Sequence, residues 1–91
     1  MDKTEHAPLE QFHKEVVGDI ASAIGHTLYS ASIKNVSYQE TIKDGTDTIS
    51  TISIDGTNGS HFIAQETNLH EYEFLDWVMH QFLRFLREES L

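Results

Sequence analysis

Apolar residues recur every three or four positions in two segments of the chain, and every second position in the segment between them. A spacing of three and four places side chains on one face of a helix, whereas a spacing of two places them on one face of a strand. The pattern therefore predicts one helix near each end of the chain, with β-strands between them.

The first helix is predicted to begin at Pro8, because the first helical turn leaves its N–H groups unbonded and so tolerates proline. Gly25 is expected to end this helix as a left-handed cap. Alternatively, small side chains allow a close helix contact along a stripe formed by Gly18, Ala21, Ser22 and Gly25. The predicted apolar face consists of Leu9, Phe12, Val16, Ile20, Ala23, Ile24 and Thr27.

Three strands are predicted from Ile33 onward, separated by the turn sequences KDGTD and TNG. The apolar residues of neighbouring strands share a face only if even-numbered residues pair with even-numbered residues. This register leaves Ile49 and Ile63 on an otherwise polar outer face. The resulting pairs are Val36 with Ile54, Tyr38 with Ile52, Ile54 with Phe62, and Ile52 with Ala64.

The turns agree with this register. The first loop must contain an odd number of residues, which the segment from Lys43 to Asp47 allows. The second suits a three-residue turn with Gly59 in the left-handed conformation. Because only the even-numbered face is apolar, both helices are expected to pack on it. The predicted fold is a two-layer α-β-β-β-α domain of the α+β class, with a three-stranded antiparallel meander.

The closing helix is predicted from Asn68 to about Arg87 and contains the only tryptophan. Asn68 and Glu71 are spaced as a capping box. Trp77 falls outside the apolar arc and is expected among charged residues. The arc covers about 180°, which favours a helix that contacts both the sheet and the first helix, or one whose excess apolar edge meets another molecule. It consists of Tyr72, Phe74, Leu75, Val78, Met79, Phe82, Leu83, Phe85 and Leu86.

Ninety-one residues support one hydrophobic core, so we expect a flexible tail over residues 1–7 and a single domain over 8–91. The chain has no cysteine, which excludes disulfide bonds and thiolate sites and fits a reducing compartment. No run approaches the ~20 apolar residues that span a bilayer, and the N-terminus lacks a signal-peptide pattern. A cytoplasmic protein is expected.

The formal net charge is −9, and no Lys or Arg occurs between Lys43 and Arg84. An acidic surface repels phosphates, so direct binding of nucleic acid is not expected, whereas a basic protein surface is a good electrostatic match. Solubility alone is the other explanation of the acidity. Trp77 would anchor the interface, as buried tryptophans often do. The predicted partner-binding residues are Asp44, Asp47, Asp55, Glu66, Glu73, Asp76, Trp77 and His80.

The sequence contains no HExxH motif, phosphate-binding loop or G-x-S-x-G turn. Glu73, Asp76 and His80 share one helix face, as metal ligands would, but a ladder of surface ion pairs continuing to Arg84 explains the same spacing. His13 falls within the apolar arc, either half exposed and bonded to a backbone carbonyl, or buried as a base or pH switch. We expect a non-enzymatic protein with no cofactor and no metal.

The order of elements, the turns KDGTD and DGTNGS and the unbroken acidic span together resemble the small phage-encoded anti-CRISPR proteins. The resemblance covers Phe12 to Arg87 as architecture and carries over no functional residue. It implies an inhibitor that imitates DNA and occupies the nucleic-acid-binding groove of a CRISPR effector in the host cytoplasm. Double-stranded RNA-binding domains share the order of elements, but they place basic residues where this chain has ETNLHEYE.

The alternative function is a structural homodimer or an adaptor subunit of an assembly. In that case a symmetric contact would form through Trp77, Ile49, Ile63 or the small-residue stripe of the first helix.

Overall fold

A computed structural model describes residues 9–25 and 33–88 of the chain. The predicted tail over residues 1–7, together with Pro8 and Thr27, lies outside these residues. No described helix is long and apolar enough to cross a membrane. The elements are helix α1 (Glu10–Gly25), strands β1 (Ile33–Lys43), β2 (Asp47–Gly56) and β3 (His61–Thr67), a one-turn 3₁₀ helix (Glu71–Glu73) and helix α2 (Phe74–Glu88). The predicted α+β order is confirmed.

The three strands form an antiparallel sheet in the order β1-β2-β3. All four predicted pairs of residues are present, so the even-with-even register is correct. Lys43 pairs with Asp47, which leaves three residues in the first turn. Gly59 has a φ of 88°, as the second turn requires.

The even-numbered face of the sheet carries the core, and both helices contribute to it. Odd-numbered residues such as Ile63 stay on the exposed outer face. The predicted two-layer arrangement follows, because a sheet with one apolar face can bury it only against helices on that side. The buried apolar residues are Val17, Tyr38, Ile52, Ile54, Phe62, Phe74, Val78, Phe82, Phe85 and Leu86.

The predicted apolar face of α1 is wrong in part. His13 and Val17 are buried, whereas Leu9, Phe12 and Ala23 are exposed. Helix α1 is therefore rotated about its axis relative to the prediction. The reason is that His13 points into the fold and contacts carboxylates of other elements. The buried face of α1 is therefore the one that carries His13 and Val17.

The small-residue stripe of α1 makes no close contact at Gly18 within the part of the chain that the structure describes. A Cβ atom added at Gly18 would meet no atom within 4 Å. Helix α1 is described as far as Gly25, which belongs to the helix itself, so the predicted left-handed cap at this residue is not observed.

The predicted capping box at Asn68 is wrong. The Asn68 N–H donates to the Thr48 carbonyl at 2.7 Å, and the Asn68 Oδ1 accepts from the Thr48 N–H at 2.9 Å. Asn68 thus continues the pairing of β3 with β2 and has a positive φ of 55°. The helical segment begins later, at Glu71, after a cap residue, His70, that makes no side-chain cap bond.

Trp77 is half-buried and packs against the core, so the prediction that it lies apart from the core is wrong. The sheet extends under this side of α2. Arg84, which lies two turns after Trp77, has its guanidinium 5.2 Å from the ring centre of Phe62 in β3. A helix over a sheet buries residues on its flank as well as on its central face, and Trp77 is such a residue.

Candidate functional site

A groove lies between the end of β3 and the beginning of α2. We call it the Trp77 groove. The groove has a volume of about 510 Å³, and the half-buried indole of Trp77 is part of its lining. Five of the eight predicted partner-binding residues meet here, and they come from three elements, which are β3, the 3₁₀ helix and α2. The lining residues are Glu66, Leu69, Glu73, Asp76, Trp77 and His80.

The Trp77 groove is strongly acidic. Three carboxylates line it, and none of its described lining residues is Lys or Arg. Arg84 follows His80 by one turn, but it is held by Gln81 at 3.3 Å, by Glu88 at 3.7 Å and against the ring of Phe62. The predicted ladder of ion pairs is therefore present only at this end of α2. The groove keeps a negative field beside an aromatic face, which is a favourable site for a cation.

The other three predicted residues do not line this groove. Asp44 lies in the exposed turn between β1 and β2, with a φ of 57°. Asp47 begins β2 and accepts from the Asn68 amide at 3.1 Å. Asp55 is near the opposite end of β2, about 26 Å away at 3.3 Å per residue, and is paired with His61 at 2.5 Å. The acidic residues thus form no single patch.

A second polar group lies within the fold, where α1, β1 and the 3₁₀ helix meet. His13 is 6% exposed and stacks on Phe74 with 4.1 Å between ring centres. Its Nδ1 contacts the Glu40 carboxylate. Its Nε2 lies 2.8 and 3.0 Å from the two oxygens of Glu71. The imidazole therefore bridges two carboxylates from distant parts of the chain.

With both carboxylates ionised, this geometry needs a protonated His13. A carboxylate only accepts hydrogen bonds, so both ring nitrogens must donate, and both can donate only in the imidazolium form. Burial by itself lowers the pKa of His13, but the hydrogen bonds and charges of Glu71 and Glu40 outweigh burial and raise it above 6.5. Of the two expectations for His13, the half-exposed one is wrong, and only the burial in the other is confirmed.

Glu40 connects the imidazolium to the remaining polar groups of this region. Its carboxylate also accepts from the Tyr38 hydroxyl at 2.5 Å. Its backbone N–H donates to the Glu10 carboxylate at 2.9 Å. Burial and Glu40 raise the pKa of the Tyr38 hydroxyl, which keeps it protonated as a donor. We call His13, Tyr38, Glu40 and Glu71 the buried polar cluster, in which the Glu71 side chain is 57% exposed and closes the cluster at the surface.

The buried polar cluster borders a cavity of about 470 Å³ that Leu9, Ser50 and Leu69 also line. A histidine acts as a general base only through a nitrogen with a free lone pair. Both nitrogens of His13 face carboxylates, so this cluster is built to hold three segments of the chain together. Among the described residues, no group of three or more His, Asp or Glu side chains is arranged to hold a metal ion.

The sequence interpretation did not find Glu40, Tyr38 and Glu71 as a unit. A signal for Glu40 was present, because it is an acidic residue at an even-numbered strand position, where the side chain points to the core. Such a residue needs an inward partner, and the only nearby positive candidate on an apolar face is His13. Glu71 gives no such signal, because its spacing from Asn68 predicts a capping box.

No protein-family model matches the chain, and comparisons with curated proteins and with solved structures find no significant match.

Proposed function

We propose that this chain is a non-enzymatic binding protein whose Trp77 groove takes a lysine- or arginine-bearing segment of a basic partner protein. The observation that supports this most directly is the convergence of Glu66, Glu73 and Asp76 around a half-buried indole. Carboxylates supply the charge that attracts a cation, and the indole face supplies a surface for its apolar stem.

The narrowest form of this proposal is an inhibitor that occupies a nucleic-acid-binding surface, as in the anti-CRISPR proteins that the sequence resembles. Proteins that bind nucleic acid expose Lys and Arg to phosphates. A chain of net charge −9 with an acidic groove presents those side chains with carboxylates in place of phosphates. Mutual attraction at long range would also raise the rate of association.

The groove is tested with a pair of matched double variants. Glu73→Gln with Asp76→Asn removes two carboxylates from the groove, and Glu15→Gln with Asp19→Asn removes two exposed carboxylates from α1. The probe is a synthetic oligoarginine peptide, with binding measured by calorimetry. We expect the groove variant to bind about tenfold more weakly at low salt and the α1 variant to bind like the original chain, because close charges contribute most.

Equal weakening by both double variants would contradict a groove and would indicate only a diffuse acidic field. A third variant, Asp44→Asn with Asp55→Asn, measures the contribution of two of the three predicted residues that do not line the groove. The inhibitor form has its own test, which is competition between this protein and duplex DNA for a purified CRISPR effector. Unchanged DNA binding at saturating protein would reject that form and leave the groove result standing.

A further inference from the structure

Helix α2 carries a row of exposed aliphatic side chains on the side away from the Trp77 groove. Leu75, Met79 and Leu83 follow one another at four-residue intervals and are 55%, 41% and 54% exposed. Tyr72, which is 81% exposed, continues the row toward the N-terminus. We call these four residues the α2 stripe. Contiguous apolar surface of this kind on a small domain usually marks a contact with another molecule.

We propose that the α2 stripe is the contact between two copies of this chain, with the two α2 helices packed antiparallel about a two-fold axis at Met79. The spacing of the stripe is symmetric about this residue. Leu75 and Leu83 lie about 6 Å before and after it along the axis, and about 40° to either side around the helix. An antiparallel pair therefore sets Leu75 of one copy against Leu83 of the other and Met79 against Met79.

The charges beside the α2 stripe favour this occupant and this direction. Asp76 and Arg87 lie on one flank of the stripe, about 60° and 80° around the helix from Met79. In an antiparallel pair, Arg87 in the last turn of one copy approaches Asp76 in the first turn of the other. The two-fold axis makes two such contacts. A parallel pair would place this flank of the two copies on opposite sides of the contact, so that Asp76 of one copy and Arg87 of the other would not meet. An isologous contact needs a self-complementary surface, and the flank of α2 has one.

Other occupants fit the α2 stripe less well. A membrane surface is anionic and would repel a chain of net charge −9. A basic partner matches the Trp77 groove, and Trp77 lies about 160° around α2 from Met79. Pairing through the stripe therefore leaves the Trp77 side of both grooves open, one on each copy, while Asp76 lies at the border between the groove and the contact.

The residues that the sequence suggested for a symmetric contact lie elsewhere. Trp77 packs against the core, and Ile63 is on the outer face of the sheet at 57% exposure. Ile63 therefore serves as a control, because it is an aliphatic residue as exposed as Leu83 and is remote from α2.

The first test is sedimentation equilibrium from about 5 to 500 μM, a range that covers micromolar dissociation constants. The mass of the original chain should rise from 10.4 kDa toward twice that value. Leu83→Lys should stay at the monomer mass at every concentration, and Ile63→Lys should dimerise like the original chain. Loss of the dimer in Ile63→Lys and not in Leu83→Lys would overturn the proposal and place the contact on the sheet.

The second test uses the absence of cysteine from the chain. Met79→Cys places two thiols across the proposed axis, where antiparallel helices bring Cα atoms within the range of a disulfide. We expect rapid formation of a cross-linked dimer by Met79→Cys under mild oxidation and slow formation by Ile63→Cys. This comparison is informative even if Leu83→Lys fails to fold.

The charges are tested by reversal. Arg87→Asp should weaken the dimer at least threefold, and adding Asp76→Arg to it should restore the original dissociation constant. A monomer at 500 μM with equal cross-linking of the two cysteine variants would overturn the proposal. So would a monomer whose Met79→Cys thiol reacts with maleimide far more slowly than that of Ile63→Cys, because another segment of the same chain would then cover the stripe.

Discussion

At the scale of single residues, the buried polar cluster places charged groups inside a small domain, where the loss of hydration makes charge costly. An imidazolium between two carboxylates carries one net negative charge, and each of its partners needs the others to be satisfied. The Tyr38 hydroxyl donates to the Glu40 carboxylate and stabilises its charge, whereas the Glu10 carboxylate, which accepts from the Glu40 backbone N–H, adds a further negative charge nearby. Removal of His13 therefore leaves the buried Glu40 carboxylate without its charged partner, whereas the exposed Glu71 carboxylate can be solvated by water.

The protonation of His13 makes stability depend on pH. Its pKa is raised in the folded state above the unfolded value of about 6.5, so the imidazolium stabilises the fold fully below pH 6.5. Above that pH the folded state binds more protons than the unfolded state, and the stabilisation is lost as the pH rises through the raised pKa. Each pKa unit of difference between the folded and the unfolded state corresponds to about 1.4 kcal/mol of stability.

We therefore expect the free energy of unfolding to fall between pH 6 and 9, as measured by urea denaturation. The control is His80→Gln, which changes an exposed histidine and should preserve this fall. His13→Gln should be less stable at pH 6 and nearly independent of pH over the same range. The same slope in His13→Gln and in the original chain would show that another group causes it.

At the scale of elements, the link between β3 and α2 depends on one residue, Asn68. Its positive φ costs less for Asn or Gly than for other residues, and its amide bonds to Thr48 and Asp47. We expect Asn68→Gly to lose about 0.5–1 kcal/mol by keeping the conformation without the bonds. Asn68→Ala should lose about 1 kcal/mol more. Equal stability of the two variants in urea would show that the conformation is not the reason for Asn68.

The turn between β2 and β3 is packed against α2 at Gly56. A Cβ atom there would lie 2.5 Å from the Ser60 Oγ, 2.7 Å from the Asn58 Oδ1 and 3.0 Å from the Phe85 ring. We expect Gly56→Ala to lower the melting temperature, with a cost of about 1–3 kcal/mol. Gly18→Ala is the matched control, since that site in α1 is open and alanine favours a helix by about 0.5–1 kcal/mol. The two variants should thus shift the melting temperature in opposite directions.

Much of the sheet could be predicted from the sequence because strand registers obey a strict alternation. One choice of register placed Tyr38 against Ile52 and also set the loop lengths, so each observation supported the others. The helix ends and faces were less predictable. Asn68 is as suitable for a strand end as for a cap, and the rotation of α1 depends on carboxylates that are 27 and 58 residues away from His13. The Trp77 groove depends on where α2 crosses β3, which no local pattern contains.

At the scale of the whole molecule, the two proposed surfaces of α2 differ in chemistry and point in nearly opposite directions. The Trp77 groove is acidic and the α2 stripe is aliphatic. A pair of chains joined by the stripe would present two grooves to one partner or to two. Simultaneous engagement of both grooves would raise the apparent affinity well above that of a single groove.

The two surfaces should respond to salt in opposite directions. Raising NaCl from about 20 to 300 mM shortens the range of charge interactions to below 10 Å. Binding of an oligoarginine peptide should weaken, because attraction is screened. Dimerisation should strengthen, because the repulsion between two chains of net charge −9 outweighs the two Asp76–Arg87 contacts. Calorimetry and sedimentation at both salt concentrations measure the two effects separately, and parallel responses would contradict the assignment of the surfaces.

The long sequence separations within the buried polar cluster have a kinetic consequence. Glu71 follows His13 by 58 residues, and all three strands of the sheet lie between them in the sequence. Closing so long a loop is entropically costly and belongs late in folding. Replacement of Glu71 by Gln should therefore accelerate unfolding and leave the refolding rate nearly unchanged, as stopped-flow measurements in urea can show. During synthesis, His13 can form its contact with Glu71 only after the chain has been made as far as the 3₁₀ helix.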